Sequence, residues 1–350
     1  MGHCLANDCS SHQAASTTTY ILFTDLCGRS ARLRVAAVTT CHMSIELLDT
    51  PVAFFVFNRP AATQRVFEAI RQVRPRQLLI VADGPRAGSD DVEKCAEVRI
   101  IVQNVDWPCE VLTNFSEVNL GCKHRVSSGL DWVFLVAEEA IILEDDCLPD
   151  PTFFRFCEEL LCKYRDDDRI RHIGGANFQM SQRADSHSYY FSGYPHVWGW
   201  ASWRRAWQYY DVTLSAWVAA VEKADFLRSI QNRSERAFWR EVWNAVSAGR
   251  IDTWDYQWAF ACMQAGSLSI VPARNLVTNI GFGSNSTNTR HASAVAELPS
   301  VPMAFPLSHP STVARASAAD DFTRRLFFTA PSFVGRAIAG LRRRLNGRMA

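Results

Sequence analysis

Val52-Ala53-Phe54-Phe55-Val56-Phe57-Asn58-Arg59-Pro60 sets the reading of the chain. Six consecutive apolar residues predict a strand covered on both faces, and Asn58-Arg59-Pro60 ends it. Beyond it, Val66, Ile70 and Val73 recur at helical spacing, with Thr63 as the expected N-cap. Residues 77–82 (QLLIVA) are the next apolar run and stop at Asp83-Gly84-Pro85. The alternation continues with a helix over 91–104, a strand over 110–113 and a helix over 121–136. A strand over 140–143 follows, closed by Glu144-Asp145-Asp146, then a helix over 153–164 and a strand over 170–173. Short apolar strands alternating with amphipathic helices predict an α/β fold, an open and mostly parallel sheet with helices on both faces. Such a sheet binds ligands beyond the carboxyl ends of its strands. Here those ends carry Asn58, Arg59, Asp83 and the acidic triplet 144–146.

Composition narrows the class of protein. Of 350 residues, 48% are hydrophobic, enough for a sizeable core and too many for a disordered chain. Lys plus Arg (37) offsets Asp plus Glu (36), which excludes a globally basic nucleic-acid binder. The cysteines include no C-x-x-C pair, so zinc-ribbon and thioredoxin readings fail on spacing; they read as reduced thiols, and the expected location is cytoplasmic. No apolar run reaches the roughly 18 residues that span a bilayer. Residues 1–45, rich in Ser, Thr, Ala and Cys, carry no sustained period and read as a poorly ordered extension or as sequence upstream of the true start at Met43. The expected folded body is 46–310, with a first half over 46–175 that carries the parallel-strand pattern and a second half over 176–310 that ends in a polar, lid-like loop. The segment 311–350 is basic. Within it, Phe333, Ala337, Ile338 and Leu341 recur at helical spacing beside Arg342, Arg343 and Arg344, which suits peripheral contact with an anionic membrane at its inner face.

The triplet Glu144-Asp145-Asp146 carries the strongest chemical signal. Three acids at a strand tip repel one another and add nothing to stability, whereas a bound divalent cation, Mn²⁺ or Mg²⁺, would reverse that balance. Asp166-Asp167-Asp168 follows a helix instead and reads as surface. Nine of the eleven tryptophans lie between 198 and 258, and the faces of Trp198 and Trp200 would suit sugar rings in an acceptor pocket. Gly281 and Gly283 flank a polar stretch suited to a lid. Lys123, His124 and Arg125 are available to offset diphosphate charge.

Residues 143–154, Leu143-Glu144-Asp145-Asp146-Cys147-Leu148-Pro149-Asp150-Pro151-Thr152-Phe153-Phe154, resemble the metal-site segment of GT-A glycosyltransferases. They are most similar to the animal N-acetylglucosaminyltransferases that begin complex N-glycans and to their bacterial relatives. Val56-Phe57-Asn58-Arg59-Pro60, Val81-Ala82-Asp83-Gly84, Gly121-Cys122-Lys123-His124-Arg125 and Trp254-Asp255-Tyr256-Gln257-Trp258 agree in order, so the resemblance spans residues 50–310. It implies a GT-A-type, metal-dependent, inverting glycosyltransferase of polysaccharide assembly. The enzyme would move a sugar from a nucleoside diphosphate sugar, expected to be a UDP-sugar, to a glycan or lipid-linked hydroxyl. In the roles it implies, Asp146 holds the metal, Glu144 and Asp145 contact donor sugar and ribose, Asn58 and Arg59 contact the nucleotide, and Asp83 reads the base. Lys123 and Trp254 would border the donor. Asp255 would deprotonate the acceptor, since inversion needs one base opposite the leaving group; Asp211 and Asp252 are the other carboxylates considered for that role. Tyr256 departs from the pattern, standing where the animal motif has a second acid. Two other readings compete. A nucleotidyltransferase would carry a glycine-rich basic loop after the first strand, and residues 58–62 have no glycine. A non-enzymatic membrane-active or sugar-binding protein is favoured only by the basic tail.

Overall fold

The computed structural model describes residues 20–24, 30–34, 47–179, 187–223, 225–281 and 298–328. Gly283 and the helical pattern at 333–345 lie outside them. The chain divides into two units, residues 1–45 and 46–350. In the first, where the sequence shows no period, Tyr20–Thr24 (β1) and Ser30–Arg34 (β2) pair antiparallel.

The second unit opens with Val52–Val56 (β3), all five residues buried, then Pro60–Val73 (α1), Gln77–Ala82 (β4), Asp91–Gln103 (α2), Glu110–Phe115 (β5), Gly121–Val136 (α3) and Glu139–Glu144 (β6). Cys147–Pro149 (β7), Thr152–Lys163 (α4), Ile170–Gly174 (β8), Tyr189–Ser192 (β9), Trp200–Trp203 (β10) and Arg204–Trp207 (α5) follow. Ser215–Lys223 (α6), Asp225–Ser229 (α7), Arg233–Ser247 (α8), Asp255–Gln264 (α9), Leu268–Pro272 (β11), Val277–Asn279 (β12) and Ser317–Phe327 (α10) complete it.

Eight strands form one sheet in the order β5-β4-β3-β6-β10-β8-β11-β9. β5, β4, β3 and β6 run parallel, as the alternation of short apolar strands with helices demands; β10 enters antiparallel between β6 and β8, β11 runs parallel to β8, and β9 closes the edge antiparallel. Period-2 side-chain alternation splits each central strand between two cores. Val52, Phe54 and Val56 pack with α1, α2 and α4, while Ala53 and Phe55 pack with α3 and α9. The expected sheet with helices on both faces is therefore what forms. A third apolar cluster joins α6, α7, α8 and α9 around Trp217, Trp239 and Trp243.

Two boundaries differ from expectation. α1 starts at Pro60, whose fixed φ suits the first helical position, with Arg59 as N-cap. Thr63 is thus one turn inside the helix, fully buried, and not its cap. The folded unit also runs past 310. On α10, buried Asp320 accepts hydrogen bonds from Ser192 Oγ (2.6 Å), the Gly193 N–H (2.8 Å) and Arg315 Nε (2.5 Å). Among the described residues no helix is long and apolar enough to cross a membrane.

Candidate active site

The parallel register sets Phe55 beside Glu144, so β3 and β6 end level and their following turns meet. Asp145 is 6% exposed. It accepts the Phe57 N–H (3.3 Å) and Arg59 Nη1 (3.0 Å), and the same Nη1 reaches Asp146 Oδ2 at 2.8 Å. Burial pushes the Asp145 carboxyl up to about 6, outweighing the Arg59 guanidinium beside it. The Glu144 carboxylate has no hydrogen-bond partner among the described residues. Burial first, then the negative charges of Asp146, Asp145 and Asp255, hold it well above the usual carboxylate range.

β7 and β12 pair antiparallel with Cys147 opposite Asn279, which carries the 275–281 segment to the acids. The Ile280 N–H donates to the Asp146 carbonyl (2.8 Å), and the Gly281 N–H donates to Asn279 Oδ1 (2.9 Å). A Cβ on Gly281 would lie 2.3 Å from Asp146 Oδ2, closer than any non-bonded pair tolerates. Any side chain at this position would have to displace the carboxylate.

The opposite wall is built by the first turns of α3 and α9. Asp83, 5% exposed, accepts the Gly84 and Leu120 N–H groups (both 2.9 Å), the Gly121 N–H (3.1 Å) and Asn119 Nδ2 (3.0 Å). It thereby fastens the start of α3 to the tip of β4. Gly121 adopts φ +75°, a left-handed conformation that favours glycine, and a Cβ there would lie 3.2 Å from Asp252 Oδ2. Next in the chain, the Cys122 thiol is pushed up by desolvation and by the field of Glu144, Asp255, Asp252 and Asp146. Those acids, from β6, the turn after it, and the approach and first turn of α9, thus all lie close enough for their charge to act on one side chain. Asp255 opens α9. Its Oδ1 accepts the Thr253 hydroxyl and the Tyr256 N–H (2.9 Å), which leaves Oδ2 for another partner. Burial raises its carboxyl against the pull of those two bonds.

Of the residues expected at the site, Arg59, Glu144, Asp145, Asp146, Asp255 and Gly281 come together, with half-buried Lys123 on the neighbouring first turn of α3. Others are placed differently. Asn58 Nδ2 donates to Asp91 (2.5 Å), which Arg86 also holds, so that amide braces a turn. Asp83 spends both oxygens on four donors of its own chain. Arg125 Nη2 is bound to Asn114. Trp200 is 1% exposed and stacks between His172 (5.1 Å) and Trp254 (5.7 Å), itself 3% exposed. Both tryptophans are core rings with covered faces, so Trp200 is not the sugar platform expected of it and Trp254 offers the donor no open ring face. Trp198 packs edge-on against Phe178. The reading of motifs missed Arg86, Asn279 and Thr253; only Thr253, a hydroxyl two residues before Asp255, had a local signal, as a side chain able to bond the start of α9. A cavity of about 420 Å³ lined by Tyr194, Glu235, Arg315 and Asp320 includes none of the site acids.

The donor set decides what cation chemistry it could support. Five carboxylates, Glu144, Asp145, Asp146, Asp252 and Asp255, lie near one another where, among the described residues, Arg59 is the cation in contact with two of them. That excess suits a divalent cation. Among the described residues, however, no group of three His, Cys, Asp or Glu side chains is arranged as a metal cage. The residues therefore fit a cation held by one or two carboxylates and completed by substrate oxygens, the usual habit of Mg²⁺ at phosphates.

No family model matches the chain, and no curated protein matches it. Among solved structures, it is similar to the mannosyltransferase PcManGT from Pyrobaculum calidifontis in complex with GDP-Man and Mn²⁺, at 13% identity over 63% of this chain and 70% of that one, with a TM-score of 0.37. A likeness at that level does not define the architecture, which rests on the strand order and register above.

Proposed function

We propose that the chain is a divalent-cation-dependent glycosyltransferase that moves a sugar from a nucleoside diphosphate sugar to a hydroxyl acceptor with inversion. The observation that supports this reading is the nearness of the β6-tip acids to Asp255 at the carboxyl edge of the sheet, close enough that the charge of Asp255 acts on Glu144. Asp146, with Asp145 beside it, would hold the cation against the donor's diphosphate, where it would neutralise charge growing on the leaving group. Asp255 Oδ2 takes the proton of the acceptor hydroxyl. The acceptor oxygen then forms its bond to the anomeric carbon on the face opposite the diphosphate, and the bond to the diphosphate breaks with its electron pair. Thr253 and the Tyr256 N–H hold Oδ1, so Oδ2 is the oxygen that reacts. Glu144, kept protonated more readily than an ordinary carboxylate, can donate a hydrogen bond to a donor hydroxyl. Asp83 serves the nucleotide by fixing the 119–121 turn, not by touching the base. Gly281 is packed directly against the Asp146 side chain.

The nucleotide and sugar are finer points that the resemblance assigns to UDP and that a panel decides. Thermal unfolding of the full chain is followed with UDP-, GDP- and other nucleotide sugars, each with and without Mn²⁺. A ligand that binds only the folded form raises the midpoint. At least one sugar nucleotide should do so in a Mn²⁺-dependent way; no shift with any of them, at concentrations well above those typical of such donors, overturns the proposal. The nucleotidyltransferase reading has no observation in its favour, since the turn after β3 points its one cation, Arg59, at acids and forms no glycine-rich cradle.

A further inference from the structure

Arg59 occupies an unusual position for a residue expected to bind a nucleotide. A single nitrogen, Nη1, lies 3.0 Å from Asp145 Oδ1 and 2.8 Å from Asp146 Oδ2. It is the nearest thing in the fold to a cation already seated between those acids. Resting on the glycosyltransferase reading above, we propose that Arg59 is the protein's own counter-ion for Asp145 and Asp146 and exchanges them for the donor's diphosphate when donor and divalent cation bind.

Three features of the site argue for exchange over a fixed ion pair. The two acids depend on Arg59 unequally. Asp145 also accepts the Phe57 N–H, so it keeps a partner when the guanidinium leaves. Among the described residues, the Asp146 carboxylate has, besides Arg59, only the weak Cys147 thiol donor at 3.6 Å. Asp146 is therefore the acid that gains most from a new cation. Second, Arg59 is free to move. It precedes α1, with φ −121° and ψ 74°, makes no side-chain cap, and its side chain is 31% exposed. Turning it away changes side-chain torsions and leaves the helix intact. Third, a guanidinium fork matches phosphate oxygens at least as well as it matches carboxylates, and bidentate pairing rewards the exchange.

The consequence is a coupling between cation and nucleotide that runs through one side chain. A cation arriving alone meets a positive charge on its ligands and supplies no anion to compensate Arg59 for leaving them. A cation arriving with a diphosphate supplies the anion that draws Arg59 away. Each ligand therefore strengthens the other by more than shared coordination would give.

The test reads Mn²⁺ binding directly, by the electron paramagnetic resonance signal of free Mn²⁺ titrated with the full chain, alone and with UDP or GDP. In Arg59→Gln, Mn²⁺ alone should bind about tenfold more tightly than in the wild type, and the enhancement by nucleotide should shrink by a similar factor, within the usual range of coupling energies. Arg59→Lys keeps the charge and should stay within about twofold of the wild type for Mn²⁺ alone, since the counter-ion is retained. Unchanged or weaker Mn²⁺ binding in folded Arg59→Gln overturns the counter-ion role, and so does an equal gain in Arg59→Lys. Should Arg59→Gln not fold, the Arg59→Lys comparison stands by itself: a clear gain in Mn²⁺ affinity there refutes the proposal, and wild-type affinity supports it. Because the Mn²⁺ arm needs no donor, its failure is distinct from that of the glycosyltransferase reading, which instead falls if the wild type binds no nucleotide diphosphate or nucleotide sugar in any combination with the metal.

Discussion

Gly281→Ala tests the site at its tightest contact. The added Cβ would stand 2.3 Å from Asp146 Oδ2 and 2.9 Å from both Cβ and Cγ of Asp146. Something must shift, and the backbone around Gly281 resists. Its N–H is bound to Asn279, the preceding Ile280 N–H is bound to the Asp146 carbonyl, and Val277–Asn279 is paired with Cys147–Pro149. The Asp146 carboxylate is the freest part, with its side chain 18% exposed, so it turns away and loses Arg59. Overpacking of this kind costs about 1–3 kcal/mol, and relief by a partly exposed side chain puts the expected loss near the lower end, about 1 kcal/mol.

Function should suffer more than stability. A carboxylate displaced from the cation's position loses most of its contribution to binding. A tenfold weakening corresponds to about 1.4 kcal/mol, so Mn²⁺-dependent affinity for a nucleoside diphosphate should fall at least about tenfold. Urea unfolding measures the first quantity and isothermal titration the second. Gly249→Ala is the control. Gly249 has φ +67°, and a Cβ there would meet nothing within 4 Å, so its alanine variant loses about 1 kcal/mol through backbone strain alone and keeps full affinity. Wild-type Mn²⁺–nucleotide affinity in folded Gly281→Ala would refute the argument, because Asp146 would then not be the carboxylate that matters.

Asp255→Asn should keep donor binding while transfer falls by about 10²–10⁴, the usual contribution of a positioned base, and undiminished turnover would remove Asp255 from that role. The same variant has a pH signature. Burial raises the folded Asp255 carboxyl above the ordinary 3.8, so ionising it destabilises the fold as pH rises from that value through the folded one. Asp255→Asn should accordingly unfold at a higher temperature than the wild type at pH 8, with the gain shrinking toward pH 4; a gain that grows on acidification would reverse the sign. Trp200→Ala should lose about 3–5 kcal/mol in urea unfolding, as expected for a buried ring, and a raised acceptor KM without loss of stability would restore Trp200 as a sugar platform. Asp320→Ala removes the acceptor of three hydrogen bonds, two of which fix α10 to the end of β9 and one of which holds Arg315, and should lose about 2–4 kcal/mol once the half-exposed Arg315 is discounted. A loss below about 0.5 kcal/mol, typical of a neutral surface change, would show that α10 does not anchor there.

Which parts of this fold could be read from sequence depends on whether their cause is local. Residues 52–57 and 77–82 are continuous apolar runs because both faces of a central parallel strand are covered, and that condition is written into consecutive residues. The triplet 144–146 is equally local, since three adjacent acids at a strand tip have no stabilising reason to be there. The insertion of β10 between β6 and β8 had no such signal. Trp200–Trp203 is four residues long, buried throughout, and defined only by partners on β6 and β8, distant in the chain. The side-chain roles divide in the same way. Asp83 and Asn58 stand at strand tips, which sequence shows, but their polar groups are consumed by residues 119–121 and by Asp91, which it does not. Aromatic composition likewise reports that rings are present and says nothing of whether their faces are covered, which is why Trp200 reads from sequence as a platform and is a core ring in the fold. Arg59 combines both cases. Its place in the turn after β3 is local, yet its charge partners come from residues 86 and 87 positions further on. The nucleotide role that the resemblance implies for Arg59 rests on its place in that turn, whereas the competition proposed for it with a cation at Asp146 is suggested only when β3 and β6 are laid side by side.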